Sequence, residues 1–279
     1  MSIQSIRTVS VMGCGWYGLP LAIRLARAGF SVNGSTTSEH KLKIMKEHQI
    51  SGYTIQMNPG LKASSEVDSF FAADALVLNI PPGRGKEHTA SRYRLMMDNL
   101  MPHLKSSSIS LVIFISSTSV YQDTNKAMHE DDAGGEEISE SGMIMLETEK
   151  LLMSRTEFAT TVLRFGGLYG NDRHPARYLS GREGLSNPEG PVNLVHLEDC
   201  IRITERILRK QLGNNIFNVV CDEHPNRKTY YTEMCRRLGL KKPVFEPQSE
   251  LDAWKQVSNK KLKSALEYTF KYASPYEGY

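Results

Sequence analysis

Long apolar runs are missing from this 279-residue chain. Stretches such as SLVIFI at 110–115 fall well short of the ~20 residues a bilayer-spanning helix needs, which argues against a helical membrane protein. The N-terminus shows no basic region followed by an apolar stretch and a small-residue cleavage site, since Arg24 and Arg27 interrupt the only candidate, so no secretory leader is expected. Cysteine is scarce. Cys14, Cys200, Cys221 and Cys235 have no C-x-x-C spacing and read as reduced thiols in a cytoplasmic protein. No Cys/His/Asp grouping has the spacing of metal ligands, so no metal is expected. Neither sign of charge dominates: 34 Lys and Arg stand against 31 Asp and Glu, a net +3, with a pI near 8.6. The excess is spread along the chain, so neither a nucleic-acid partner nor a membrane surface is expected. Internal repeats, low-complexity segments and charged tails are absent as well.

What is there is a chain long enough for one large domain or two smaller ones, in which β-branched runs alternate with helical patterns. That alternation predicts an α/β fold, a doubly wound parallel sheet covered by helices. TVSVM (8–12) reads as a strand and 16–28 as a helix, with Leu19, Ile23 and Ala26 on one face and Gly29 as its stop. SVNGS (31–35) is the second strand, followed by a helix over 38–49 with Ser38 as its cap. GYTIQM offers a third strand, and ALVLNI (75–80) a better one, ended by Pro81-Pro82-Gly83. A helix over 87–100, a strand at 110–117, a helix at 139–153 and a strand at 160–166 follow. In the helix at 139–153, Ile144, Thr148, Leu151 and Leu152 form a stripe. The segment 167–189 is rich in Gly, Pro and polar residues. Strand and helix then return over 192–210, NIFNVV (215–220) makes a strand, and 225–279 carries one helix at 228–240 among turns. The expected organisation is a nucleotide-binding domain of 1–165 and 190–221, and a small substrate domain of 166–189 and 222–279.

Between the first strand and the first helix stand Gly13, Cys14, Gly15, Trp16, Tyr17 and Gly18. G-x-G-x-x-G alone is a weak signal; in a strand-turn-helix at the start of the chain it predicts a dinucleotide site. The first glycine permits the tight turn, the second lets a pyrophosphate approach the backbone, and the third lets helix pack on strand. The helix N-terminus adds N–H donors and partial positive charge. NAD-binding folds usually place an acid at the second strand's tip to hold the ribose 2′-hydroxyl. Here the tip reads Ser35-Thr36-Thr37-Ser38. Hydroxyls can donate to a 2′-phosphate that a carboxylate would repel, and Lys41 and Lys43 can add charge. The expected cofactor is NADP, with NAD the second choice.

FISSTSVYQD (114–123) resembles the SSxxVYG segment of extended short-chain dehydrogenases/reductases, the nucleoside-diphosphate-sugar epimerase/dehydratase group. LRFGGLYGNDRHP resembles that group's LR…YGPGR, VNLVHLEDC its H-x-x-D segment and NIFNVV its YNV. The likeness runs over almost the whole chain and is strongest to a YeeZ-like branch without Y-x-x-x-K. The resemblance implies a Rossmann core with a small C-terminal substrate domain. It implies that Ile80, Pro81, Ser116 and Phe165 line the cofactor and that Ser117 is the catalytic serine. It also implies that Glu149 is the acid eight positions beyond the catalytic tyrosine. Counting back puts the tyrosine position at Ser141 and the lysine position at Met145. No tyrosine anywhere in the chain is followed by lysine four residues on.

That gap has a chemical cost. Hydride transfer at a sugar alcohol needs a proton moved at the same oxygen, and a phenol of pKa ~10 must be poised by the ammonium one helical turn away. Acid–base catalysis contributes about 10²–10⁴-fold, or ~3–5 kcal/mol. Tyr121 is a substitute proton carrier or a packing residue. Arg173, His174 and His196 are candidate substrate residues. His174 is either a proton shuttle or a surface loop histidine, and His196 with Asp199 is equally a brace between strand and helix. Glu149 and Lys150 read as a solvated face. Arg173, Arg177 and Arg182 could receive an acidic or phosphorylated substrate, and Trp254 caps either cleft or core. The sequence therefore supports an NADP-dependent oxidoreductase or epimerase-like enzyme acting on a small polar or nucleotide-sugar substrate with an altered acid/base. The alternative is a catalytically silent NADP(H) sensor. The resemblance also brings a homodimer, formed through two helices that include 139–153, into consideration.

Overall fold

A computed structural model of the protein describes residues 5–57, 60–63, 67–82, 89–170 and 172–279. By internal contacts the chain falls into two compact units. The first comprises Met1–Ser116, Glu140–Leu163 and Ile201–Ile216; the second comprises Ser117–Ser139, Arg164–Cys200 and Phe217–Tyr279.

The first half of the chain alternates strand and helix: β1 (Thr8–Met12), α1 (Gly18–Arg27), β2 (Ser31–Thr36), α2 (Glu39–Glu47), β3 (Ser51–Met57), β4 (Leu61–Ala63), α3 (Val67–Phe71), β5 (Ala75–Leu78), α4 (Thr89–Ser106) and β6 (Leu111–Ser117). After β7 (Lys126–Met128) come α5 (Glu140–Met153), β8 (Ala159–Phe165), β9 (Gly167–Tyr169), α6 (Ala176–Leu179), β10 (Leu194–His196) and α7 (Leu197–Lys210). The chain continues through β11 (Asn215–Val219), α8 (Arg227–Arg237), β12 (Lys255–Val257) and α9 (Lys260–Leu266).

Eight strands form one sheet in the order β11-β8-β6-β5-β1-β2-β3-β4. β5/β6, β1/β5, β1/β2 and β2/β3 pair parallel, and β3/β4 antiparallel. β1 and β5 are buried throughout apart from Thr8, as expected for parallel strands covered on both faces. The α/β, doubly wound Rossmann architecture expected from the sequence is the one observed. From β1 the chain moves outward through β2 and β3, then returns to place β5 on the other side of β1. Strand order reverses there, and in open α/β sheets ligands bind at the carboxyl ends of the strands at such a switch point.

α1 shows why the first crossover is helical. Leu21, Ala22 and Leu25 are buried at helical spacing while Arg24 and Arg27 face water; the expected face of Leu19, Ile23 and Ala26 is only half-buried, a correction to the phase of the stripe. Burying each leucine contributes roughly 1.5–3 kcal/mol. α4 differs from expectation at both ends. Residues 87–88 of the expected helix, and Gly83 of the preceding turn, lie outside the described residues, and the helix continues past 100 to Ser106 through Pro102. Leu100, Met101 and Leu104 are buried, and that burial outweighs the ~3 kcal/mol an interior proline costs.

The second unit has its own core of Tyr169, Ala176, Val192, Leu194, Tyr230, Tyr231, Met234 and Cys235. The segment after 166, expected to be irregular, contains β9 and α6, and β9 pairs parallel with β10. The C-terminal stretch, expected to hold one helix, also holds α9 and β12, and β12 pairs with β7. Only Leu262 and Leu266 anchor α9 among its lysines, too sparse a stripe to read as periodicity. β7 and β12 are three-residue strands more than a hundred positions apart, stabilised by a pairing that no local window contains.

Candidate functional site

The glycine turn caps β1 inside the first unit. Gly13 has φ +99 and an added Cβ would run into the Asn79 carbonyl, a conformation and a gap that only glycine accepts. A Cβ on Gly18 would run into the Gly13 carbonyl. Gly15 is different: its nearest neighbour would be the Gly13 oxygen at 4.0 Å. Among the described residues, the protein's own packing thus requires two of these glycines and not the middle one.

The turn is tied to its neighbours. Cys14 N donates to Ser35 O at 2.8 Å and Gly15 N to Gly13 O at 2.8 Å. Gly13 N donates to the Ser35 hydroxyl at 3.0 Å, and the Asn79 side-chain amide donates to Gly13 O at 3.0 Å. Ile80 Cγ1 would stand 3.8 Å from a Cβ placed on Gly13, and the Ile80 carbonyl accepts from the buried Tyr93 hydroxyl at 2.7 Å. Pro81 is exposed beyond it. Cys14 is buried, and desolvation pushes its thiol up to about 12, against the Lys41 ammonium and the Ser35 backbone. This thiol stays protonated at neutral pH, and Lys41 is close enough to the turn to be felt there. Tyr17 is buried with its hydroxyl 2.7 Å from Thr204, and Trp16 is half-buried.

At the tip of β2 the four hydroxyl residues have separate roles. Ser35 is buried and serves the turn. The buried Thr36 hydroxyl accepts from Ser38 N at 3.1 Å, leaving its own O–H to donate. Thr37 is exposed. Ser38 stands at the N-cap of α2 but makes no side-chain cap bond, so the capping expected of it is corrected: Ser38 N, not its hydroxyl, is the bonded group. No carboxylate stands at this tip before Glu39.

At the tip of β6, Ser116 donates to the Glu149 carboxylate at 2.5 Å. Glu149 is 2 % exposed. That corrects its reading as a solvated face: the buried stripe of α5 includes Ile144, Met145, Thr148, Glu149 and Leu152, and of the pair Glu149 and Lys150 the lysine alone is exposed. Ser141 is exposed one turn before the buried Met145.

Within the second unit, Ser117 is half-exposed and its hydroxyl accepts from Ser119 N at 3.1 Å; Phe165 is buried. Tyr121 is buried, donating to Asn218 Oδ1 at 2.6 Å and accepting from Arg164 at 2.7 Å. Desolvation raises its phenol to about 12, with the Arg164 guanidinium opposing. Arg173 is exposed, its backbone bonded both ways to Gly170 at 3.0 Å. His174 is no surface residue: it is 3 % exposed, its Nδ1 accepting from Ala176 N at 3.1 Å. Burial, helped by Arg177, holds it down to about 4. His196 is buried between Glu198 N at 3.1 Å and Gly278 O at 3.0 Å, and desolvation lowers its pKa too. Asp199 is fully buried. Arg177 and Arg182 are exposed; Trp254 is half-buried and exchanges bonds with Asn125 at 2.8 Å.

The structure therefore gathers Gly13, Cys14, Gly15, Ser35 and Ile80 in one place, and shows His174, His196 and Tyr121 engaged by the protein itself. Asn79 and the Ser116–Glu149 pair were not singled out by the sequence. Asn79 had a signal, a polar residue closing an apolar strand at its carboxyl end; the serine–carboxylate pair, 33 positions apart, had none. Among the described residues no three His, Cys, Asp or Glu side chains group as metal ligands would, and no helix is long and apolar enough to cross a membrane.

The chain matches no family model. It is 32% identical over 274 residues to protein YeeZ of Escherichia coli K12, covering 97% of this chain and 98% of that protein. In fold it is similar to UDP-glucuronic acid 4-epimerase from Bacillus cereus in complex with UDP-4-deoxy-4-fluoro-glucuronic acid and NAD. There the TM-score is 0.78 at 16% identity, over 97% of this chain and 96% of that one. It is likewise similar to MoeE5 in complex with UDP-glucuronic acid and NAD, with TM-score 0.76 at 18% identity, over 95% and 94%.

Proposed function

Because the chain belongs to the YeeZ family and folds as the UDP-sugar epimerases do, we propose that it is an NADP(H)-binding oxidoreductase or epimerase-like enzyme. Its substrate is small and polar, of nucleotide-sugar type, and its acid/base is altered. The observation that carries the reading is the open face of Gly15 between two glycines the protein needs for itself. A residue without a side chain where none of the described residues requires it fits a pyrophosphate lying against the backbone. The start of α1 supports this: it has no side-chain cap and no acid in its first turn. α2, α3, α5 and α7 begin with Glu39, Asp68, Glu140, and Glu198 with Asp199, whereas α4, α6, α8 and α9, like α1, have no acid in the first turn. An uncompensated helix N-terminus suits an anion.

Thr36, Thr37 and Lys41 would receive the 2′-phosphate, with Ser38 N–H already committed to Thr36. The cofactor supplies hydride chemistry when bound. The Ser117 hydroxyl accepts a bond from Ser119 N and keeps its proton to donate, which suits it to orient a substrate oxygen. Ser141 and Met145 stand where the family resemblance puts the tyrosine and lysine, so the proton passes through another residue or water. A second reading, an NADP(H) sensor without turnover, is favoured by the pinned hydroxyl of Tyr121 and the buried nitrogens of His174 and His196.

Calorimetry with NADPH and NADH on the wild type and Gly15→Ala tests the binding. Heat with NADPH that is weaker with NADH and reduced in the variant is the expected result; no heat with either nucleotide overturns the proposal. Nicotinamide absorbance followed with a UDP-sugar panel then separates the readings, since binding without turnover selects the sensor.

A further inference from the structure

Within the first unit, β6 and α5 share a polar pair that their packing does not call for. β6 is apolar from Leu111 to Ile115, and Ser116 is its first polar side chain. α5 buries Gly142, Ile144, Met145, Thr148, Glu149 and Leu152, and Glu149 alone of these is ionisable. Apolar contacts would join this strand to this helix at lower cost, because a buried carboxylate gives up its hydration. The Thr148 hydroxyl turns back on its own helix, donating to Ile144 O at 2.8 Å. Ser116 and Glu149 instead meet at 2.5 Å, with 4 % and 2 % of their surfaces exposed.

The bond between them has a direction. Its 2.5 Å is the length of a charge-assisted O–H···O⁻ bond. The carboxylate takes the serine's only proton, so Ser116 Oγ keeps its lone pairs and has nothing left to donate. Among the described residues no group donates to it. The pair also has a particular place. β1, β5 and β6 are consecutive in the sheet, and β2 lies on the other side of β1. Neighbouring strands are ~4.8 Å apart, so the tip of β6 stands roughly 10 Å from the glycine turn. With an adenosine ribose at the tip of β2 and a pyrophosphate at Gly15, the other half of a dinucleotide runs past β5 toward β6. Ile115 and Ser117, on either side of Ser116, are half-exposed; the serine stands at the rim of the sheet, not in its interior.

Resting on that reading of the cofactor site, we propose that the Ser116–Glu149 pair selects dinucleotides whose pyridine ring carries an amide and rejects those whose ring carries an acid. Ser116 Oγ accepts the carboxamide N–H. Glu149 acts through Ser116 as a positioning residue, holding the serine's proton so that the oxygen facing the ligand can only accept. A nicotinic-acid dinucleotide has no N–H to offer there. Its carboxylate would stand roughly 5 Å from that of Glu149, two hydrogen-bond lengths away across one hydroxyl. Like charges so placed repel, and the low dielectric of a buried site strengthens the repulsion.

Calorimetry of the full chain with NADP⁺ and with its nicotinic-acid counterpart tests this. The wild type is expected to bind the amide form about thirtyfold more tightly. Glu149→Gln should cut that preference to about threefold, because a glutamine amide can donate to Ser116 and free the hydroxyl proton for a carboxylate. Ser116→Ala should bring it to a similar level. A pair that merely ties β6 to α5 would weaken both dinucleotides alike and leave the ratio unmoved. Equal affinities in the wild type, or a preference unchanged in either variant, overturns the proposal while leaving the cofactor reading in place. No heat with either dinucleotide in the wild type overturns both. Should the variants not fold, proton NMR of NADP⁺ bound to the wild type decides. Carboxamide protons that exchange about tenfold more slowly than in the free nucleotide are expected; exchange at the free rate is fatal to the proposal.

Discussion

The glycine turn and the histidine–tyrosine cluster of the second unit are both built from groups that sequence motifs nominate for ligands, yet they treat those groups oppositely. In the turn, the protein fills the space at Gly13 and Gly18, while among the described residues only the Gly13 oxygen, at 4.0 Å, would meet a Cβ on Gly15, and α1 starts without an acid or a side-chain cap. In the cluster, His174, His196, Tyr169 and Tyr230 are all occupied by the chain's own backbone and rings. A ligand site shows itself by what the fold leaves unused. Buried polar groups that already have partners read as architecture first.

Four substitutions would break or sharpen that contrast. Asp199→Ala leaves the buried Tyr268 hydroxyl and the Lys271 and Tyr272 N–H groups without their acceptor and is expected to cost about 4 kcal/mol in urea unfolding. A loss below ~1 kcal/mol would deny residues 268–272 their anchor. Gly13→Ala drives a Cβ into the Asn79 carbonyl at positive φ and should cost about 3 kcal/mol, read in the same experiment. Gly15→Ala should leave stability within ~0.5 kcal/mol and weaken NADPH about thirtyfold, ~2 kcal/mol by calorimetry; a destabilised variant would mean that the middle glycine serves packing after all. Lys41→Ala should lower the preference for NADPH over NADH by about fivefold, ~1 kcal/mol; unchanged preference would remove Lys41 from the 2′-phosphate.

Much of the first unit was legible because its signals are local. The period-two and period-3.6 patterns of 8–49, the glycine spacing and the hydroxyl tip of β2 each lie within one window of the chain. Glu149 was misread because its neighbours on α5 mix apolar and charged residues, and only the approach of β6 shows that the carboxylate points inward to Ser116. His174 was misread for the same kind of reason: a polar, glycine-rich loop looks solvated until Tyr169, Tyr230 and Tyr279 close around it. β7 and β12 carry no signal separately and exist as a pair.

The sequence by itself determined the α/β alternation, the glycine turn and the carboxylate-free tip of the second strand, because backbone conformation and side-chain chemistry at those places depend on residues a few positions apart. Tertiary structure alone decided which polar groups remain available. Burial and hydrogen-bond satisfaction depend on what packs against a side chain from distant segments: Asn218 and Arg164 take up Tyr121, Glu149 takes up the Ser116 proton, and the backbone of Gly278 takes up His196.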